Sequence, residues 1–443
     1  SLVISALASE SIAVGVLALM VVATVLTGCR PAKVGAKCTG TELGRDGTHV
    51  LTCTKGRWTR AISFYDVGVL IKEQTRRPLS GVKKIAAGAS FNCALIDNGT
   101  VKCWGSNWDG ELGTGWGDQY RRNPQTVPGL DGVTDIDAFV GHVCAIVSGG
   151  AVKCWGDNDS GQLGNGSTDS SPVPVDVVGI SGATSIAVGW RHSCAIVAGG
   201  AVRCWGSNRS GQLGDGSEDD RHTPVAVDGL RGAVSLASGD DHTCGLFDDG
   251  SVACWGRNDE GQLGDGSGYS RPWPAYVEGL DGESGVAIRS IGAGAHTTCA
   301  AVTDGSVRCW GSSGSGQLGT GSEDDAYEPV VVPSIAGATQ VAGSWIGHPC
   351  ALTGGGTATC WGEPFARRIV PMVGGSSTPV GVAGLSGATQ IDAGGGHVCA
   401  RMVDSTLMCW GNNAVGQVDA TPMPPYRLPL SAMAAPTRVT ELP

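Results

Sequence analysis

Residues 184–230 read TSIAVGWRHSCAIVAGGAVRCWGSNRSGQLGDGSEDDRHTPVAVDGL. Apolar residues alternate at Ile186/Val188, Cys194/Ile196, Val202/Cys204 and Val225/Val227. A period of two, met four times between Gly-rich turns, is the pattern of short strands with one face turned inward. The stretch is expected to form a four-stranded antiparallel meander. Such a sheet cannot cover its own apolar face, so it needs neighbours of the same kind.

The neighbours are present. Cys-Trp-Gly recurs seven times, at Cys103, Cys154, Cys204, Cys254, Cys309, Cys360 and Cys409, with spacings of 51, 50, 50, 55, 51 and 49 residues. Ten positions before each stands a second cysteine: Cys93, Cys144, Cys194, Cys244, Cys299, Cys350 and Cys399. Seven four-stranded sheets stacked around an axis make an all-β fold, a seven-bladed β-propeller whose closure leaves only short edges. Asp97-Asn98-Gly99 suits a three-residue hairpin loop with Gly99 left-handed. That register sets Leu95 opposite Val101 and Cys93 opposite Cys103, close enough for a disulfide. Each such bond contributes roughly 2–3 kcal/mol in the chain-entropy account. Cys38 and Cys53 form the remaining pair, which leaves Cys29 alone.

The repeated string, exemplified by Gly189-Trp190-Arg191-His192-Ser193-Cys194-Ala195, Cys204-Trp205-Gly206-Ser207-Asn208 and Gly211-Gln212-Leu213-Gly214, resembles the regulator of chromosome condensation repeat. The resemblance covers residues ~80–443. It implies the propeller fold strongly and a function weakly, because one fold serves many roles. The best-known eukaryotic member of that family is a nucleotide-exchange factor for a nuclear GTPase. Bacterial secreted relatives include a β-lactamase inhibitor protein that uses loops on one propeller face. This chain departs from the eukaryotic pattern by placing Cys before the Trp in every copy, and it is expected to belong to the bacterial secreted or lipoprotein branch.

Composition narrows the setting. The 443 residues carry 72 Gly and a net charge of −11, which argues against non-specific nucleic-acid binding. Seventeen cysteines without a CxxC motif point to an oxidising compartment. Residues 11–28 are uncharged and, at ~1.5 Å per helical residue, near the minimum for crossing a bilayer. Leu26-Thr27-Gly28-Cys29 resembles a bacterial lipoprotein signal box, in which Cys29 becomes the lipidated first residue; a secretory signal or a retained membrane helix is the alternative. No Lys or Arg precedes the apolar run. The expected organisation is a hydrophobic signal or anchor helix at 1–28, a small β-hairpin module stapled by Cys38–Cys53 at 29–60, a linker or extra strand at 61–80, and the propeller at 81–443. The C-terminal Pro436-Thr437-Arg438-Val439 mimics a fourth strand and is expected to meet the first copy and latch the ring.

The chemistry of the repeats reads as structural. His142, His192, His242, His296, His348 and His397 stand just before the first Cys of a copy. His-x-Cys invites a zinc reading, but the cysteines are claimed by disulfides, so these histidines are expected to bond the inner turn. Asp157-Asn158-Asp159-Ser160-Gly161 lacks the glycine and distal Glu of a calcium loop in register. No nucleophile elbow, HExxH or phosphate loop occurs, and a residue repeated seven times is a poor catalytic candidate. No enzyme activity, cofactor or metal is expected.

Binding residues should instead break the symmetry. The longer loops, shared by one face, collect Trp108, Trp116, Tyr120, Arg121, Arg122, Tyr269, Arg271, Trp273, Tyr327, Phe365, Arg367 and Arg368. Trp190, Arg191 and Trp345 lie nearer the axis. Trp, Tyr and Arg dominate binding hot spots. The function expected is an extracytoplasmic binding propeller, tethered to the bacterial cell envelope through lipid on Cys29 or the N-terminal helix. Its partner would be a protein or glycan. The alternative is a structural subunit of a surface array, a homo-oligomer assembled through the hydrophobic helix. Non-reducing peptide mapping is expected to join Cys38 to Cys53, and mass spectrometry of the native N-terminus to find an acylated Cys29. Free thiols at 38 and 53 would remove the staple, and an intact Ser1 the lipid anchor.

Overall fold

The computed structural model describes residues 77–282, 285–362, 376–419 and 436–441, together with four short strands nearer the N-terminus. The chain divides into two compact units, residues 1–77 with 441–443 and residues 78–440.

In the first unit, Arg30–Pro31, Leu43–Arg45, His49–Thr54 and Arg57–Ser63 form one sheet in that order. The first pair is parallel and the others antiparallel. This is two strands more than the expected hairpin, and its last strand runs past residue 60. The expected helix, Cys29 and Cys38 lie outside the described residues, and of Cys53 only its place in the strand is described.

The second unit is a seven-bladed propeller. Blade 1 consists of Val82–Ala87, Phe91–Ile96, Val101–Ser106 and Tyr120–Thr126, hydrogen-bonded in chain order. Blades 2 to 6 repeat the arrangement from inner strands Asp135–Ala138, Ser185–Val188, Ala233–Ser238, Ile288–Ala293 and Ala338–Ala342. Blade 7 runs from Ala388–Ala393 to Thr437–Arg438. The expected hairpin register holds: Leu95 faces Val101, and Cys93 faces Cys103. All seven intra-blade disulfides are formed, each with Cα atoms 4.1 Å apart.

The core lies between blades. The Trp of each Cys-Trp-Gly packs against the disulfide of the preceding blade, as Trp205 does against Cys144 and Cys154, with Leu163 of the Gly-Gln-Leu-Gly turn beside it. The indole Nε1 then donates to the carbonyl at the second position of that turn. The pairs are Trp155 to Glu111 (2.9 Å), Trp205 to Gln162 (2.8 Å), Trp310 to Gln262 (3.0 Å) and Trp361 to Gln317 (2.8 Å). At blade 4 the Trp255 nitrogen has no partner, and Gln212 accepts only the Thr243 hydroxyl, at 3.2 Å, where Gln162 and Gln262 accept both an indole and a hydroxyl. A neutral donor buried without a partner costs about 1–3 kcal/mol.

Closure uses the same parts. Trp104 Nε1 donates to Gln417 O of blade 7 at 3.0 Å, and Asn92 Nδ2 to the same oxygen at 2.7 Å. The two ends of the propeller chain also meet, Leu79 N donating to Val439 O at 2.9 Å. Inner strands of neighbouring blades are joined by side chains rather than by a backbone ladder. The Gln340 amide bridges both backbone groups of Ile391, and Gln390 does the same to Ile85.

In blades 1 to 5 the last glycine of the turn is pressed against the next blade's indole. At Gly164 φ is +65°, and an added Cβ would lie 2.7 Å from Trp205 Nε1; Gly179 has φ +72° and open space around it. Both alanine variants carry left-handed strain of about 1–2 kcal/mol, and only the first adds overpacking of about 1–3 kcal/mol. Gly164→Ala is therefore expected to lower unfolding free energy by about 2–5 kcal/mol in denaturant titration and Gly179→Ala by about 1–2. Equal losses would show that the indole contact is not what demands glycine.

Candidate functional site

The face bearing the first-to-second and third-to-fourth connections is built on a stapled loop. In blade 1 the Asn107 Oδ1 accepts from Leu112 N at 3.1 Å, while its Nδ2 donates to the carbonyls of Gly115 and Asp118. Asn158, Asn208 and Asn258 do the same in blades 2 to 4. One buried amide thus holds about a dozen residues of loop, and side chains projecting from it stand on a fixed base.

The sequence-expected residues fall into separate sectors. Trp108 (61% exposed) and Trp116 (63%) stand on the blade 1 loop with Tyr120; Arg121 pairs there with Asp118 at 2.5 Å. Arg122 packs its stem on Gly416, donates to Ala414 O at 3.2 Å and lies 5.5 Å from the Tyr120 ring, so it serves the joint between blades 7 and 1. Tyr269 (78% exposed) and Trp273 belong to blade 4, and Tyr327 to blade 5, its hydroxyl 3.4 Å from Asp259 O. Arg271 is held by the buried carboxylate of Asp265 at 2.5 Å. Two blades separate the two aromatic sectors in either direction round the ring, so they do not form one patch. Phe365, Arg367 and Arg368 lie outside the described residues.

Nearer the axis, Trp190 and Trp345 both pack against the cluster containing Phe139 and Val188. Trp345 comes from blade 6 and that cluster from blades 2 and 3, so its ring reaches over the axis. The Arg191 guanidinium lies over Trp190 at 4.9 Å, a cation–π geometry.

Sequence reasoning misplaced one histidine. His142, His192, His242 and His397 lie two residues before their Cys, and their Nε2 atoms meet Ser193, Thr243, Thr298 and Asn92 of the next blade at 2.8–2.9 Å. They bond the neighbouring blade rather than their own inner turn. His296 lies three residues before Cys299; Thr297 fills the buried place, and the imidazole turns outward. Its Nδ1 is 2.5 Å from Glu260 and its Nε2 3.7 Å from Asp240. Counting residues to the cysteine was the signal available. Around it stand Asp241 and an Arg257–Asp259 pair at 2.5 Å. Asp240 is only 8% exposed and its Oδ1 has no partner. Burial, with Asp241 adjacent, pushes its carboxyl up to about 7. This sector can accept a positively charged group. Among the described residues no His/Cys/Asp/Glu group is arranged to hold a metal ion.

The architecture and site define a seven-bladed repeat propeller with a stapled loop face. A family model described as RCC1-like domain matches residues 38–341, and a second, the regulator of chromosome condensation (RCC1) repeat, matches residues 388–417; the chain belongs to the RCC1-like family. It is 42% identical over 97 residues to the human E3 ubiquitin-protein ligase HERC2, covering 21% of this chain and 2% of that protein. It is 31% identical over 117 residues to the mitochondrial RCC1 domain-containing protein RUG3 of Arabidopsis thaliana, a quarter of each chain. The chain thus spans only a small part of these relatives. Among solved structures, human WBSCR16 aligns with TM-score 0.67 at 22% identity over 77% of this chain and 94% of the other. Yeast RCC1 (Prp20), solved with Kap60 bound, aligns at TM-score 0.62 and 22% identity over 71% and 78%. At such identities the likeness shows the fold.

Burial lowers His192 to about 3, and this has a sign. Below pH ~6.5 the unfolded chain takes up a proton that the folded imidazole refuses, so the wild type loses about 1.4 kcal/mol per pH unit at this group. His192→Gln is expected to cost about 1 kcal/mol at pH 7.5 for the bond to Thr243, and to gain on the wild type as pH falls below 6.5, overtaking it near pH 5.5. A gap that stays constant from pH 7.5 to 5 would show that the folded protein tolerates a charged His192.

Proposed function

We propose that the chain is a non-enzymatic binding propeller that recognises a protein or glycan partner through its long-loop face, outside the cytoplasmic membrane and tethered to a bacterial envelope. The observation that carries the reading is the stapled loop: a repeated amide fixes the backbone while the residues it displays differ from blade to blade. Preorganised loops lose little entropy on binding, and exposed Trp and Tyr at 108, 116, 269 and 273 supply anchors. The acidic sector around Asp240, Asp241 and Glu260 favours a partner with basic groups, and a rim of one charge raises encounter rate and selectivity more than affinity. The yeast relative's complex with Kap60 supports protein as the partner class. Seven disulfides support an oxidising compartment, and the Leu-Thr-Gly-Cys29 box supports the lipid tether.

Three double variants, Trp108→Ala with Trp116→Ala, Tyr269→Ala with Trp273→Ala, and Phe365→Ala with Arg367→Ala, test the face in capture from envelope extract. One of them is expected to weaken capture by about 2 kcal/mol or more with the melting temperature nearly unchanged. A partner retained by all three would place recognition off these loops.

A further inference from the structure

The propeller axis holds a cavity of about 150 Å³ walled by the inner strands. That is below the ~300 Å³ where pockets for drug-sized ligands begin, and far more than one water needs. Its charge is confined to three adjacent blades: Lys84 from blade 1, Asp137 with the neighbouring Asp135 from blade 2, and Asp392 from blade 7. At the aligned positions blades 3 to 6 carry Ser, Ala, Gly and Gln. Lys84 pairs with Asp135 at 2.5 Å and is also the cation felt by Asp137 and Asp392, so one ammonium serves three carboxylates.

Those carboxylates are not explained by their structural work. Asp137 Oδ2 accepts Val188 N at 2.8 Å, and Asp392 Oδ2 accepts Ala87 N at 2.8 Å, clipping neighbouring inner strands together. Two residues earlier on their strands, Gln340 and Gln390 clip neighbouring inner strands without charge. Independently, Ser238 is 6% exposed, lines the same cavity and has an Oγ with no hydrogen-bond partner. An unmade buried hydroxyl bond beside surplus negative charge marks a place where a donor is missing.

We propose that the axial cavity is a binding site for a small organic cation, a guanidinium or primary ammonium, held by Asp137 and Asp392 with Ser238 accepting a further hydrogen bond. Three donors in a planar fork, or three on an ammonium, match two carboxylates and a hydroxyl. Lys84, one-third exposed, stands at the start of its strand, toward the short-turn face. Trp190 and Trp345 lie at the long-loop end, so the cation enters from the face opposite the proposed partner site, and the two readings stand or fall separately.

Burial pushes Asp137 up to about 7 and Asp392 up to about 6, so protons compete with the cation. The charged groups facing the pair are Lys84 and Asp135. Calorimetric titration of the full chain with methylguanidinium chloride, against sodium chloride at equal ionic strength, is expected to show saturable binding at pH 8 that weakens at least tenfold at pH 5.5. Asp137→Asn with Asp392→Asn keeps the two inter-blade clips, since an amide oxygen still accepts, gives up only the bond from Ala393 N to Asp392 Oδ1, and is expected to abolish binding. Lys84→Gln removes the competing ammonium and is expected to tighten it several-fold. No saturable binding at pH 8, or equal affinity in the double variant, would overturn the assignment and leave the cavity to water.

Discussion

The ring depends on one contact: an indole from each blade inserted against the disulfide of the blade before it and, at every joint whose turn is described, against that turn. The geometry demands several things at once. In blades 1 to 5 the turn approaches so closely that its last residue, a glycine, has no room for a side chain. The cysteine pair lies directly across a hairpin, and the register is held by a left-handed residue, Gly99 in blade 1 and Ser405 in blade 7. Loss of a buried Trp typically costs about 3–5 kcal/mol. Seven such joints therefore outweigh any single strand pairing. The buried histidines add a second line of bonds across the same boundaries, and burial keeps them neutral.

Much of this was legible because repetition amplifies it. A Trp, a Gly and two Cys at fixed offsets in seven copies cannot be coincidence, and period-two alternation between them leaves one architecture. What was not legible is what the repeats do not share. His296 is displaced by one residue, which turns its ring from core to solvent. Arg122 looked like an anchor until the joint between blades 7 and 1 placed it on Gly416. Asp137 and Asp392 stand where other copies have Ala or Gly, a signal visible in an alignment of copies but without meaning until the inner strands are known to line a cavity. The extra parallel strand beside Leu43–Arg45 had no pattern to announce it, since two residues carry no period.

The outer strand of each blade is an unpaired edge, the standing hazard of sheet proteins. Here it is blunted by proline: Pro172 and Pro174 in blade 2, Pro272 and Pro274 in blade 4, with Pro124, Pro224, Pro329 and Pro379 in blades 1, 3, 5 and 6. Proline cannot donate to an added strand. These residues therefore do two jobs, since Pro172 and Pro272 also receive the first glycine of the preceding blade's turn. The rim discourages edge-to-edge pairing, leaving the loops as the surface through which selective contact is made.

Each blade is made of consecutive chain, blade 7 included, so no strand is exchanged between the two ends of the ring. The joint between the last blade and the first is then built on the same indole contact as the others, with no peptide link across it and with Asn92 and Asp419 in place of the usual hydroxyl residue and glycine. The seven intra-blade disulfides all lie inside blades and none spans a boundary. The ring is a necklace whose clasp works as its links do. Its opening point is set by the weakest packing contact rather than by where the polypeptide happens to start, and a reordered chain beginning at another blade would meet the same seven contacts.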